Sequence, residues 1–296
     1  MQLVRLLRES SAMAVVHLAF MAKSRRPGEI DRERMWQINV SGTARVMEAI
    51  SEVNRRGGNI RKFIYPSSAS VYGPETKALV GEEAKIGSHT LSDVVQKSEA
   101  DIVVRFRANS MGRCSTYLLR AQAFAGTSVD GYVISTLRGC SSGDSKQERL
   151  PLLLPTGKKY PQRLLQFVHV EDVARLVTWL LHKSSTEQSE VLTLNVAGSG
   201  SPISIEKCAE IAHTRIARVP SEWMWEKIMR RRWNRGISPV PPDAFPYLMG
   251  SCTVGTRRLR ELLRDDYEKV IQYSTEDALR ESFVDCAEDP VDTPAE

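Results

Sequence analysis

Short apolar runs alternate with amphipathic stretches along the first two thirds of the chain. Residues 14–20 are apolar apart from His17, and their length predicts a strand. Between Val40 and Val53, the residues Val46, Met47, Ile50 and Val53 recur at helical spacing. Arg55, Arg56, Gly57 and Gly58 then supply a basic last turn and a glycine stop. Residues 62–67 predict a second strand, 91–104 a helix with a mixed surface, and 116–124 a third strand. Val173, Leu176, Val177, Leu180 and Leu181 lie on one face of a helix predicted over 173–181, and 193–197 is a further strand. Strands separated by helices of this length argue for a parallel sheet covered on both faces.

The character changes at about residue 199. Prolines cluster at 239, 241, 242 and 246, and helices predicted over 204–217 and 256–264 follow without clear strands between them. The fold expected is therefore α/β, an incomplete Rossmann-like parallel sheet with a smaller, mostly helical C-terminal lobe. Residues 1–198 form the sheet domain and 199–283 the lobe. The last stretch, 284–296, is an acidic tail: from Glu281 to Glu296 there are six acidic residues and no basic one.

Composition narrows the classes. A chain of 296 residues with 42% apolar and 26% charged residues has the inventory for a sizeable core. The net charge of +5 gives nucleic-acid binding only weak support. Five cysteines, odd in number and widely spaced, indicate neither a disulfide framework nor a zinc site, and no other metal site is indicated; a reducing cytoplasm fits them best. The longest apolar stretch, 12–22, is interrupted by His17 and is too short to span a membrane. Glu9 beside Arg5 and Arg8 argues against a secretory signal there.

Several segments in order carry a resemblance. They are His17-Leu18-Ala19; Asn39-Val40-Ser41-Gly42-Thr43; Phe63-Ile64-Tyr65-Pro66-Ser67-Ser68-Ala69-Ser70-Val71-Tyr72-Gly73; and Phe167-Val168-His169-Val170-Glu171-Asp172-Val173-Ala174. Leu119-Arg120 through Gly126 and Leu194 through Gly198 fit the same order. Together they resemble the extended short-chain dehydrogenase/reductase family, the NAD(P)-dependent epimerases and dehydratases of nucleotide sugars. The resemblance implies NAD or NADP as cofactor and a nucleotide sugar as substrate. It places His17, Ala19, Asn39, Ser67 and Lys97 on the cofactor side, and gives the Ser68 hydroxyl the substrate's reacting oxygen. Local readings stand beside these: a core strand for 14–20, a buried strand-end serine for Ser68, and a helix cap for Asn39.

Two parts of the family pattern are absent. None of the 18 glycines starts a G-x-G-x-x-G or G-x-x-G-x-x-G, the turn that lets backbone N–H groups close on a pyrophosphate. The first recognisable element resembles the family's fourth strand, so the first nucleotide-binding half of the fold is expected to be missing. The second absence is the catalytic tyrosine. Such enzymes use Tyr-x-x-x-Lys, where the lysine lowers the phenol's pKa so that it can exchange a proton with the substrate. Here the segment reads Asp93-Val94-Val95-Gln96-Lys97, and no tyrosine has lysine four residues on. A carboxylate beside a lysine is a poor partner for an alcohol proton, and Asp93–Lys97 reads more simply as a helical surface ion pair. Asp172 reads as a helix N-cap beside His169. Residues 222–235 carry three tryptophans and four arginines; the resemblance implies that Arg230 and Arg232 grip a substrate diphosphate, and an amphipathic helix with a solvated basic face explains the same pattern.

Three readings follow. The chain is a family member weakly active or inactive as it stands, with Ser68 and Lys97 as vestigial catalytic groups. Alternatively it is a non-catalytic nucleotide-sugar-binding or protein-interaction module, whose exposed strand edge at 14–20 accommodates a second copy or another chain. The third reading is a gene model begun at an internal methionine.

Overall fold

The computed structural model describes residues 2–22, 32–76, 79–138, 151–156, 163–184, 188–238 and 240–284. Helix α1 (Gln2–Glu9) leads into strand β1 (Ala14–Val16). β1 has three residues rather than the predicted seven. His17 N donates the last ladder hydrogen bond to Ile64 O at 2.9 Å. The chain then leaves the sheet because Asn39 holds Met21, accepting from its N–H at 2.6 Å and donating to its carbonyl at 2.8 Å.

Helix α2 (Arg32–Trp36), a π-helical turn (Gln37–Ser41) and α3 (Gly42–Arg55) run on without a break. Asn39 is thus fully buried inside a helix, not at its start, and does not cap it. The apolar face of α3 buries Met47, Ile50 and Val53 against Phe63 and Tyr65 of β2 (Lys62–Ser68) and Val104 of α4 (Ser92–Arg107). After α3, Gly57 takes φ +85°, a turn that favours glycine.

β3 (Ser115–Ala121) ends earlier than predicted. The chain steps to β4 (Ala123–Ala125), which pairs with a different partner. α5 (Tyr132–Arg138), β5 (Leu152–Pro155), β6 (Leu164–Leu165), β7 (Phe167–His169), α6 (Val170–His182) and β8 (Val191–Val196) follow. The main sheet has the order β1-β2-β3-β8 and every pairing is parallel, with Val15 opposite Phe63, Ile64 opposite Tyr117 and Leu119 opposite Leu194. The α/β fold with a parallel sheet is as the periodicity predicts. Among the described residues no helix is long and apolar enough to cross a membrane.

Beyond β8 lie β9 (Ile203–Ser204), α7 (Ile205–Ile211), β10 (Ile216–Val219), α8 (Glu222–Asn234), α9 (Phe245–Met249), α10 (Arg257–Leu263), α11 (Tyr267–Val270) and α12 (Thr275–Glu281). The helix predicted over 204–217 stops at Ile211. His213 adopts φ +51°, which breaks the helix and turns the chain to pair β10 in parallel with β5. α8 buries Trp225, Met229 and Trp233 at helical spacing. Leu259, Leu263, Tyr267 and Val270 return to cover Leu176 and Leu194 of the main sheet layer. Asp172 is not the N-cap of α6. His169 takes that place, accepting from Glu171 N at 3.3 Å, while the fully buried Asp172 accepts from the backbone N–H groups of Gln272 and Tyr273 at 3.0 and 3.2 Å.

One polar network crosses the centre. Arg120 and Asp101 are both fully buried, and Arg120 donates from Nε and Nη2 to the two Asp101 oxygens at 3.0 and 2.8 Å. Nη1 reaches the Tyr72 hydroxyl at 2.8 Å and the Glu82 carbonyl at 3.1 Å. Ser67 donates to Asp101 at 2.8 Å, and Tyr72 donates to Asn195 at 2.7 Å. Removing one partner strands a buried charge. Asp101→Asn is therefore expected to destabilise the fold by about 3–5 kcal/mol, measured as a lowered urea midpoint. The double variant Asp101→Leu with Arg120→Met should recover much of that loss. A double variant no more stable than the single one would contradict the ion-pair account.

Candidate functional site

Residues 17–22 leave the carboxyl end of β1, the end at which open α/β sheets bind ligands. There His17 Nε2 stands 3.1 Å from Thr43 Oγ1, and its ring centre is 5.8 Å from that of Tyr65. Thr43 donates its own proton to the Asn39 carbonyl at 2.6 Å, so its oxygen accepts from His17 and Nε2 carries the hydrogen. Burial, and then the charge of Lys97, lower the His17 pKa, which leaves a neutral imidazole at pH 7. Asn39 completes its bonding by donating to Gln96 Oε1 at 2.8 Å.

Lys97 does not extend to a surface ion pair with Asp93. Its Nζ turns inward, 3.6 Å from the centre of the Phe20 ring and 5.3 Å from that of Tyr65, and donates to the Pro66 carbonyl at 3.3 Å. Two aromatic faces and a carbonyl attract the ammonium to this position. Burial brings its pKa down to about 8, only partly offset by the charges of Asp101 and Asp93. Tyr65 does not replace the missing phenol. Burial foremost, with the charge of Asp101, holds its hydroxyl above the usual range, so it is not poised to release a proton.

The remaining sequence candidates separate. Ser67 is committed to Asp101 in the central network. Ser68, half-buried at the end of β2, accepts from Ser70 N at 3.2 Å and shares a 2.8 Å hydrogen bond with the Ser70 hydroxyl. Ala19 is exposed on the segment after β1. His17, Asn39 and Lys97 are thus gathered at one end of the sheet, whereas Arg230 and Arg232 lie elsewhere.

That second place is a cleft lined by Leu152 and Leu154 of β5, Trp225, Met229 and Arg232 of α8, Leu248 of α9, and Arg163. Trp225 fixes one wall by donating from Nε1 to the Leu153 carbonyl at 2.8 Å. Arg163 donates to the carbonyls of Gly250 and Tyr247 at 3.2 and 3.3 Å; burial pulls its pKa down to about 10, still cationic at pH 7. Burial also lowers Arg232. Among the described residues neither guanidinium has a carboxylate partner. Arg230 differs: it is bound to Glu226 at 2.6 Å and faces an adjoining cleft with Glu75, Glu222, Glu226 and Asp243.

The parallel sheet and its helices on both faces define a Rossmann-type fold. The chain belongs to the NAD dependent epimerase/dehydratase family, whose sequence model matches residues 1–197. No curated protein matches it. Among solved structures it is similar to UDP-glucuronic acid 4-epimerase from Bacillus cereus, crystallised with UDP-glucuronic acid and NAD, at 17% identity and TM-score 0.62, covering 96% of this chain and 77% of that one. A dTDP-glucose 4,6-dehydratase from Bacillus anthracis, in complex with NAD, matches at 15% identity and TM-score 0.61, covering 95% and 74%. UDP-glucose 4-epimerase from Bifidobacterium longum, in complex with NAD+ and UDP, matches at 17% identity and TM-score 0.58, covering 94% and 77%.

Sequence reasoning missed Arg163, Phe20 and Thr43 as site residues. Arg163 had no signal beyond a basic residue ahead of a short apolar run. Lys97 yields a pH test. An ammonium whose pKa is lowered from 10.5 to about 8 on folding binds its proton less tightly in the folded state. Its burden on stability is therefore fully present below pH 8 and is relieved as pH rises toward 10.5. The difference in urea midpoint between Lys97→Met and the wild type should change in the wild type's favour across that interval. A difference flat from pH 7 to about 10.5 would refute the lowered pKa.

Proposed function

We propose that this chain binds a nucleotide sugar in the cleft between β5, α8 and α9, with Arg163 and Arg232 on the pyrophosphate and the base against Leu152, Leu154 and Trp225. The observation that carries this is two partly buried guanidiniums lining one apolar cleft with no carboxylate partner among the described residues. Cations withdrawn from water in this way are costly until an anion pairs with them, and guanidinium matches phosphate geometry. The UDP-sugars and UDP in the similar structures support the same ligand class.

Epimerase or dehydratase turnover is weak or absent in this reading. Oxidation at a sugar carbon needs a base on the hydroxyl, and Asp93 stands in the tyrosine's place. Lys97 bonds to the Pro66 carbonyl, and Tyr65 is held un-ionised. For NAD, the carboxyl ends of β1 and β2 offer His17 and Lys97 to a nicotinamide ribose. The sequence has no glycine turn to close on the pyrophosphate. The residues present therefore fit one half of the dinucleotide and not the other, and the affinity for NAD is correspondingly low.

A second reading draws on β1. It is the last strand in the sheet order, and the flanking Met13 and Leu18 are 67% and 70% exposed, which favours pairing of this edge with another chain.

Calorimetric titration tests the first reading. UDP should bind saturably, with Arg163→Ala and Arg232→Ala each weakening it about ten- to hundredfold, the value of a charge-assisted hydrogen bond. Arg230→Ala should leave it unchanged, and NAD should not saturate at concentrations that saturate UDP. No heat from UDP, or equal losses in all three variants, would overturn the assignment.

A further inference from the structure

We propose that the amino end of the sheet is a docking surface for an anionic lipid membrane. Arg61 N donates to the Met13 carbonyl and Ser115 N to the Arg61 carbonyl, both at 2.8 Å. Met13, Arg61 and the loop ahead of β3 that carries Arg113 therefore lie side by side. The last turns of α1 and α3 run down to the same end, because each helix feeds the strand that follows it.

Two grooves cut this end. One, between α1 and α3, is lined by Arg5, Arg8 and Arg56 with Glu9 and Glu52. The other, of about 480 Å³, is lined by Arg55, Arg61 and Arg113, and no carboxylate lines it. Six arginines against two glutamates leave a surplus of four positive charges, on a chain whose whole net charge is +5. The excess is concentrated here, not spread over the surface. Glu9 is taken up by Arg5 at 3.1 Å, and Glu52 by Arg55 at 2.8 Å and by Arg56. Arg8 and Arg113 are exposed, and neither guanidinium has a partner among the described residues.

Any polyanion is drawn to such a face, and the apolar side chains beside it decide for lipid. Leu6 and Met13 are 60% and 67% exposed. Helix α1 has no buried residue; it lies on the surface, held by the partly buried Val4 and Leu7 against the core of Met47 and Phe63. A nucleic-acid backbone offers exposed aliphatic side chains nothing. A membrane interface takes them into the acyl boundary while the guanidiniums stay at the headgroup phosphates. Docked in this way the chain lies on the membrane, and the carboxyl ends of the strands face away from it. The proposal is independent of the nucleotide-sugar reading, whose cleft is built from β5, α8 and α9.

Co-sedimentation with phosphatidylcholine vesicles carrying about a third phosphatidylserine tests it. Binding should be about tenfold stronger than to pure phosphatidylcholine vesicles, and should be lost in about 0.5 M sodium chloride. Arg8→Gln and Arg113→Gln, at exposed positions, should each weaken it about fivefold. Arg257→Gln removes the same charge from α10, where the side chain is 90% exposed, and should leave binding unchanged. Leu6→Ser combined with Met13→Ser should weaken vesicle binding about tenfold. Equal binding to the two kinds of vesicle, or an equal loss in Arg257→Gln, would overturn the proposal. So would vesicle binding untouched by the Leu6 and Met13 changes; competition by duplex DNA at the same arginines would then assign the face to nucleic acid.

Discussion

Asp101 and Arg120 carry opposite charges in the interior between α4 and the sheet, where neither meets water. Such a pair is stable only when its remaining hydrogen-bonding capacity is met, because taking both ions out of water is expensive. Here it is met by Ser67, Tyr72 and the Glu82 carbonyl. The pair fixes α4 against β3 at a defined height. Lys97 lies one helical turn before Asp101, on the same side of the helix, so the network also determines where that ammonium meets Phe20 and Tyr65. Asn195, joined through Tyr72, extends the same constraint to the carbonyls of Val80 and Gly255.

The two candidate regions solve opposite electrostatic problems. At the carboxyl ends of β1 and β2, burial favours the uncharged forms: His17 is neutral, Tyr65 stays protonated, and Lys97 loses much of its preference for the proton. In the cleft of α8 and α9, guanidiniums stay charged under burial because their intrinsic basicity is so high. In the function proposed above, the second region is the one that holds phosphates.

Elements whose burial is decided by local periodicity were legible in the sequence. α3, α6 and β2 lie close to their predicted positions because Met47, Ile50 and Val53, or Leu176 and Leu180, recur at the period of their own element. β1 was overestimated because an apolar run does not reveal that Asn39, 18 residues on from Met21, will pull it out of the sheet. Asp172 looked like a cap since its sequence neighbours suit one, whereas its partners are a hundred residues away. For Lys97 the i,i+4 carboxylate was visible and the rings of Phe20 and Tyr65 were not. What escaped is set by contacts between distant segments, and no single window of sequence contains them.

The grip of Asp172 on Gln272 and Tyr273 bears on how the chain assembles during synthesis. A chain emerging N-terminus first presents β3, α6 and β8 well before Leu259, Leu263, Tyr267 and Val270 exist to cover them. Until then Leu176 and Leu194 face solvent on one side and the carboxylate of Asp172 lacks its two backbone donors. All four strands of the sheet thus precede in the chain the residues that form its outer layer. High sequence separation of this kind slows closure of the core. It makes the last third of the chain the segment that commits the first two thirds to their final packing.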